Sequence, residues 1–246
     1  MKLIFRFLIF APLFIYSLMS FAQTRETSRN SDMWFLNDTK YNMGEHWRFE
    51  NEVHLRRTSW LADDKQILIR PSVSYAINPA IRFHVGYTHV VTYPYGDQPV
   101  ILKTPENNFW VQTILYHEVE RVKFSHRYRL EERWIGQAVG QQDGSYEIDG
   151  SVHKSRFRYR ITCTKKIADS KSYFIFFDEL FINTSKDAGL NRFDQNWVYG
   201  GIGYEFSPAL KLEMGYMWQL IEKPNGIQYE SNNVIHFFAF YTIASK

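Results

Sequence analysis

The sequence predicts an all-β fold, an antiparallel transmembrane up-and-down β-barrel of about 10 to 12 strands. Three observations predict it. From Trp47 to Ile243, apolar and polar side chains alternate through about ten stretches of roughly 11 to 14 residues, the period of strands with one apolar and one polar face. The connections between these stretches are alternately short and long. A secretory signal stands at the N-terminus.

The signal has a basic start, Lys2 and Arg6, then an apolar run from Leu8 to Phe21 broken only by Pro12, Ser17 and Ser20. Ser20-Phe21-Ala22 is the small-x-small pattern of a cleavage site, so residues 1–22 are expected to be removed, leaving Gln23 first. The run is shorter than the roughly 20 residues of a spanning helix. Residues 23–32 are polar and read as a flexible lead-in, with the barrel over 33–246. The 246 residues suit a single domain. Cleavage removes two of the 29 basic residues, leaving 27 against 26 acidic ones, so no strong field points to nucleic acid as a partner. The mean hydropathy of -0.37 excludes a helical membrane protein but not a barrel with a polar lumen. Cys163 is the single cysteine, which excludes an intramolecular disulfide.

The first clear strand, Trp47 to Arg57, sets Trp47, Phe49, Val53 and Leu55 against Arg48, Glu50, Glu52, His54 and Arg56. Next come Gln66 to Ile77 and Ile81 to Tyr93, joined by the turn Asn78-Pro79-Ala80, where proline pre-sets the bend. Asn107 to Glu118 and Val122 to Ile135 form the next hairpin, then His153 to Lys165 and Lys171 to Asn183. Phe193 to Phe206, Leu210 to Ile221 and Asn232 to Ile243 complete the series. Trp34 to Tyr41 reads as a further strand, joined to Trp47 through Asn42 to Glu45, and makes the count odd where bacterial single-chain barrels are even. It is a partial strand, an extra pairing at the seam, or a sign that two strands elsewhere have been merged. The long connections are 58 to 65, 94 to 106, 136 to 152, 184 to 192 and 222 to 231. Membrane barrels have short periplasmic turns and long outer loops, so these five are expected outside the cell. Two turns resemble each other, Asn78-Pro79-Ala80 followed by Gly86 and Ser207-Pro208-Ala209 followed by Gly215, with each glycine expected to relieve crowding on the inner face.

Alternation alone does not separate a membrane barrel from a soluble one. Strands about twice the usual globular length of roughly 5 to 6 residues favour the membrane. So do aromatics near the ends of the apolar face: Trp47 and Tyr75 at one end, Tyr93, Trp134 and Trp218 at the other. The polar faces carry dense arginine: FSHRYRLEERW over 124–134 aligns Arg127, Arg129, Glu131 and Arg133, and RFRYRI over 156–161 aligns Arg156, Arg158 and Arg160. An arginine facing mid-membrane lipid costs about 2 to 4 kcal/mol, so three on one strand must face the lumen. Their carboxylate partners are sought among Glu50, Glu52, Glu118, Glu131, Glu205 and Glu213, with Asp178 or Glu179 from a strand apolar on both faces. The lumen is read as an ion-pair network that stiffens the barrel; the alternative is an anion-selective lining or a site for small anionic solutes. With about ten strands the interior is only slightly wider than the eight-stranded case that side chains fill.

The order of WFLNDTKYN, HWRFENEVHLR, RYRLEER, RFRYR, DELFIN and FDQNWVYGGIGYEF resembles the domain-of-unknown-function 2490 family, outer-membrane β-barrels of Bacteroidetes and other Gram-negative bacteria, over roughly Met33 to Tyr241. The resemblance implies fold and outer-membrane location, and it supplies no catalytic residues. The expected partners are outer-membrane lipid, with small anionic solutes or an outer-membrane or periplasmic protein as further candidates.

A barrel-embedded lipid hydrolase would need a serine and a histidine on one outer face at the membrane rim. Ser125-His126 fails, because neighbours on a strand point to opposite faces; His126 is instead expected to pair with Thr113 across its hairpin. His89 and His236 lie on apolar faces without a serine beside them. The eight histidines are scattered, with no HExxH, paired cysteines or calcium loop, and no cofactor is expected. Residues 187–194 (DAGLNRFD) and Asp194-Gln195-Asn196 read as turn chemistry. Cys163 shares the outer face with Ile161 and behaves as a small hydrophobe.

Overall fold

Residues 26–243 are described by a computed structural model. The expected signal peptide, residues 23–25 and residues 244–246 lie outside the described residues. Eleven strands close into one barrel: β1 (Glu26–Met43), β2 (Trp47–Thr58), β3 (Asp63–Asn78), β4 (Ile81–Thr92), β5 (Thr104–Val119), β6 (Val122–Gly140), β7 (Tyr146–Lys166), β8 (Ser172–Asn183), β9 (Phe193–Glu205), β10 (Leu210–Glu222) and β11 (Gln228–Ile243). Each strand pairs antiparallel with its sequence neighbour, and β1 closes the ring by pairing parallel with β11, Glu26 beside Gln228 through Tyr41 beside Ile243.

That seam settles the odd strand. Trp34 to Tyr41 lies within a full strand of 18 residues that takes ladder bonds from both neighbours. The expected lead-in over 23–32 is corrected from Glu26 onward, where Ser28 and Asp32 are buried on the inner face. Polar composition hid this part of the strand, because its inward positions face a polar lumen. The antiparallel barrel that the sequence predicts is therefore antiparallel at every pairing but one. The short hairpin to β2 runs β1 from the long-loop end to the short-turn end, and the odd count then makes its closing pair with β11 parallel, with Glu26 beside Ile227. That direction is the one implied by the short turn Asn42 to Glu45 that joins β1 to Trp47.

Three long connections shrink markedly, the last of them from 222–231 to 223–227. Strand pairing continues through Thr58 and Asp63, leaving 59–62 as the turn. From Gly136 to Ser151, β6 and β7 extend as a two-stranded ribbon closed by residues 141–145. Both ribbon faces meet solvent, so no apolar alternation marks it. The loop at 93–103 and the loop at 184–192 remain the longest.

Inner and outer faces follow the alternation. Phe35, Leu55, Val85, Leu130 and Met214 point outward and are exposed, while Glu50, Arg70, Arg129 and Arg158 are buried inside. Trp47 and Tyr75 meet on the outer face at the short-turn end with ring centroids 4.9 Å apart. The two glycines of the repeated turns do relieve crowding: a Cβ on Gly86 would lie 2.2 Å from the Trp110 ring, and one on Gly215 2.4 Å from the Gly200 carbonyl oxygen. Register shifts sit near strand ends, at Arg56/Arg57, Ala76/Asn78 and Phe181/Ile182, where bulges re-aim the chain without breaking the mid-barrel ladder.

Candidate functional site

Adjacent strands β6, β7 and β8 bring the arginine runs together in register, Arg127 beside Arg160, Arg129 beside Arg158 and Glu131 beside Arg156. Two wholly buried carboxylates hold them. Glu131 accepts from Arg156 through Nε at 2.8 Å and Nη2 at 2.5 Å, and from Arg158 Nη1 at 2.7 Å. Glu179 accepts from Arg158 Nε at 2.7 Å and from Arg127 Nη2. Arg158 thus bridges both acids. Arg156 reaches on to Asp194 at 2.6 Å. Bonds of this length between opposite charges are the strong class.

Five guanidinium groups, of Arg127, Arg129, Arg156, Arg158 and Arg160, share three carboxylates, those of Glu131, Glu179 and Asp194. Neutral groups take up part of the excess. Arg129 donates to Gln112 at 2.8 Å and lies 4.0 Å from the centre of the Trp110 ring. Arg158 stacks 4.2 Å over Phe181. Ring faces attract a cation most strongly when water is excluded.

Across the lumen a second cluster comes from β1, β2 and β3. Glu52 accepts from Arg70 at 2.6 Å and lies 3.1 Å from His54. Glu50 accepts from Ser74 at 2.8 Å. Arg56 lies 4.0 Å over the Trp34 ring, and Trp34 meets Trp197 edge to face at 5.4 Å. The aromatics thus join the two charged walls into a layer.

The long-loop mouth is closed as well. Tyr95 from the loop at 93–103 donates to Glu230 at 2.9 Å, and Lys65 lies 4.4 Å over its ring and bonds Asp32 at 2.6 Å. Burial, together with the Glu230 carboxylate, pushes the Tyr95 phenol well above its usual pKa, so it stays a neutral donor. Lys223 bonds Glu230 and the Gln98 carbonyl, tying the last hairpin to the same loop. Between this mouth and the charged layer lies a small cavity of about 80 Å³, lined by Trp34, Arg56, Lys65 and Tyr95. Toward the short-turn end the lumen opens. A cavity of about 280 Å³ under the charged layer adjoins one of about 480 Å³, both lined by Ser125, Thr162, Glu213 and Phe240. The lumen is thus wider on the short-turn side of the charged layer than on the long-loop side.

Of the residues singled out in the sequence, Arg127, Arg129, Glu131, Arg156, Arg158, Arg160 and Glu179 form one network. Arg133 points inward but pairs outside it, bidentate to Glu106 at 2.7 and 2.8 Å. Glu50 and Glu52 belong to the opposite wall. The face of β8 is resolved: Glu179 points in, and Asp178 points out, where Asn196 donates to it at 2.6 Å. Glu205 pairs with Lys211 and Lys166, Glu213 accepts from Tyr173, and Glu118 is exposed at the short-turn end. His126 pairs with Tyr159 at 2.8 Å and not with Thr113, because Thr113 sits opposite Tyr128. His236 does lie on an apolar face, but that face lines the lumen, beside Val234 and Phe238.

Arg70 was missed although the alternation of β3 sets it on the lumen side with Ser72 and Ser74, whereas Lys65, out of phase with them, turns inward at the register shift opposite Arg56 and Arg57. Trp34, Trp110 and Trp197 carried no such signal, because an apolar residue on this pattern reads as outward.

The family model described as Protein of unknown function (DUF2490) matches residues 31–230, and the chain belongs to that family. No curated protein matches the sequence. Among solved structures the chain is similar to the NanC porin, with TM-score 0.46 and 11% identity over 80% of this chain and 86% of that one. It is also similar to the β domain of the Bordetella autotransporter BrkA, with TM-score 0.41 and 8% identity over 74% of this chain and 80% of that one.

Proposed function

We propose that this chain is an outer-membrane β-barrel that acts as a structural or accessory barrel, with a lumen closed to solute flow. The observation that carries this is the layer built on Glu131 and Glu179, whose side chains have no solvent exposure and whose arginine partners reach across β6, β7 and β8. An aqueous pore would leave such groups hydrated, whereas here the arginine partners pack against Trp110, Phe181 and Trp197. Exposed Phe, Leu, Val and Trp over the outer face, with strands of 12 to 21 residues, support a bilayer as surroundings. Planar-bilayer recording on purified, refolded protein tests the reading. The expected trace is electrically silent; steady unitary current would sink it.

A second reading, a small channel for anionic solutes, is favoured by one observation. The cavity at the short-turn end is flanked by Lys40, Arg48, Lys123 and Lys211, so an anion approaching from that side meets positive charge. Under this reading the same recording shows anion-selective current. A lipid hydrolase built on Ser125 and His126 gains no support, because Ser125 lines the lumen and His126 bonds Tyr159.

A further inference from the structure

We infer that the blind cavity below the charged layer is a binding site for a small organic carboxylate with a hydrophobic body, entering from the short-turn end. Its lining is of two kinds. Phe177, Phe238 and Phe240 supply its apolar part, with Phe238 and Phe240 stacked at 5.7 Å and 7°. Arg127 and Arg160 supply its cationic part, with Arg160 lying over the Phe177 ring.

Arg160 is the group left over. Among the described residues its nearest carboxylate oxygen is Glu179 Oε2 at 3.8 Å, beyond hydrogen-bond distance, and its guanidinium rests 4.9 Å from the Phe177 ring. It is the most accessible guanidinium of the network, with 27% of its side chain exposed. Five arginines (Arg56, Arg70, Arg127, Arg158 and Arg160) and four carboxylates (Asp38, Glu52, Glu179 and Glu213) line this cavity, a formal excess of one positive charge that a single anion held at Arg160 would balance. Nearby, His236 is buried and neither ring nitrogen has a hydrogen-bond partner among the described residues, as is also true of the Tyr199 hydroxyl. Buried polar groups without partners are rare enough to need an explanation.

The charge of the occupant follows from its other neighbours. Asp38 and Glu213 also line this cavity, so a dianion would meet repulsion that a monoanion largely escapes. A carboxylate suits the planar fork of a guanidinium, and the phenylalanine wall buries an aliphatic or aromatic body. With the wider chamber below, the space falls within the roughly 300 to 1,000 Å³ of small-molecule pockets. The inference rests on the closed-barrel reading only for the cavity being blind. Conductance tests the plug and binding tests the cavity, so either can fail alone.

The test is calorimetric titration of the purified full barrel, in non-ionic detergent, with hexanoate, hexanamide and acetate, and with empty micelles as the control. Hexanoate is expected to bind at least ten-fold more tightly than either the uncharged amide or the truncated acid. Arg160→Gln should reduce hexanoate to the level of the amide. Thr162→Trp, which fills the passage between the two chambers, should abolish binding while heat-modifiable gel mobility shows the barrel folded. Equal binding of hexanoate and hexanamide, or full hexanoate affinity in folded Arg160→Gln or Thr162→Trp protein, would overturn the inference.

Discussion

Arg158 is fully engaged: its guanidinium donates to Glu131 and Glu179 and lies against Phe181, with no room for water between. Removing one partner of a buried pair leaves the other charge stranded, at about 3 to 5 kcal/mol. Arg158→Leu is therefore expected to lower clearly the temperature at which the barrel loses its folded gel mobility. Lys186→Leu, in an exposed position of the loop at 184–192, should leave that temperature unchanged. Matching transitions for both variants would mean the pair is solvated, since exposed pairs contribute only about 0 to 1 kcal/mol. Much of this network was legible residue by residue, because strand periodicity puts Arg156, Arg158 and Arg160 on one side and the cost of lipid-facing charge decides which side. Glu179 was not legible, since Asp178 and Glu179 sit in a strand of Phe, Ile and Leu on both faces. There the aromatics serve lipid outside and cation stacking inside, and only the register with β7 tells them apart.

At the scale of strands, the parallel seam is the feature that alternation could not have shown. Periodicity gives each strand its two faces, and the hairpin with β2 gives β1 its direction, but neither shows that β1 also pairs with β11. Loop length and seam together place Glu26, Asp97, Asp143 and Asn225 at one end and Asn78 and Ser207 at the other. In a Cys163→Ser background, single cysteines at Asp97, Asp143 and Asn225 should react with an impermeant thiol reagent on whole cells. Thr27→Cys should react with them, because the parallel pairing holds Thr27 beside Tyr229. Asn78→Cys and Ser207→Cys should stay unlabelled. Labelling of Asn78 and Ser207 in place of the loops would invert the barrel; a silent Thr27 beside a labelled Asn225 would contradict the direction of β1.

For the whole molecule, class, strand order and most strand limits could be read from the sequence because a barrel repeats one local rule ten times over. What could not be read is where the lumen is shut, since that depends on rings such as Trp34, Trp197 and Tyr95 that come from distant strands and a loop to meet at one level. The central claim is that the lumen is a cup open at the short-turn end and sealed above. Two threonines on the inner face measure it. Thr162 lines the open cavity, and Thr88 is 1% exposed within the charged layer, accepting hydrogen bonds from Trp110 at 3.0 Å and Arg70 at 3.1 Å. In purified, folded Cys163→Ser protein, the reaction rate of a small water-soluble thiol reagent with Thr162→Cys and with Thr88→Cys is the direct measurement. The expected result is fast modification of Thr162→Cys and at least a hundred-fold slower modification of Thr88→Cys; equal rates would show a lumen filled with water from end to end.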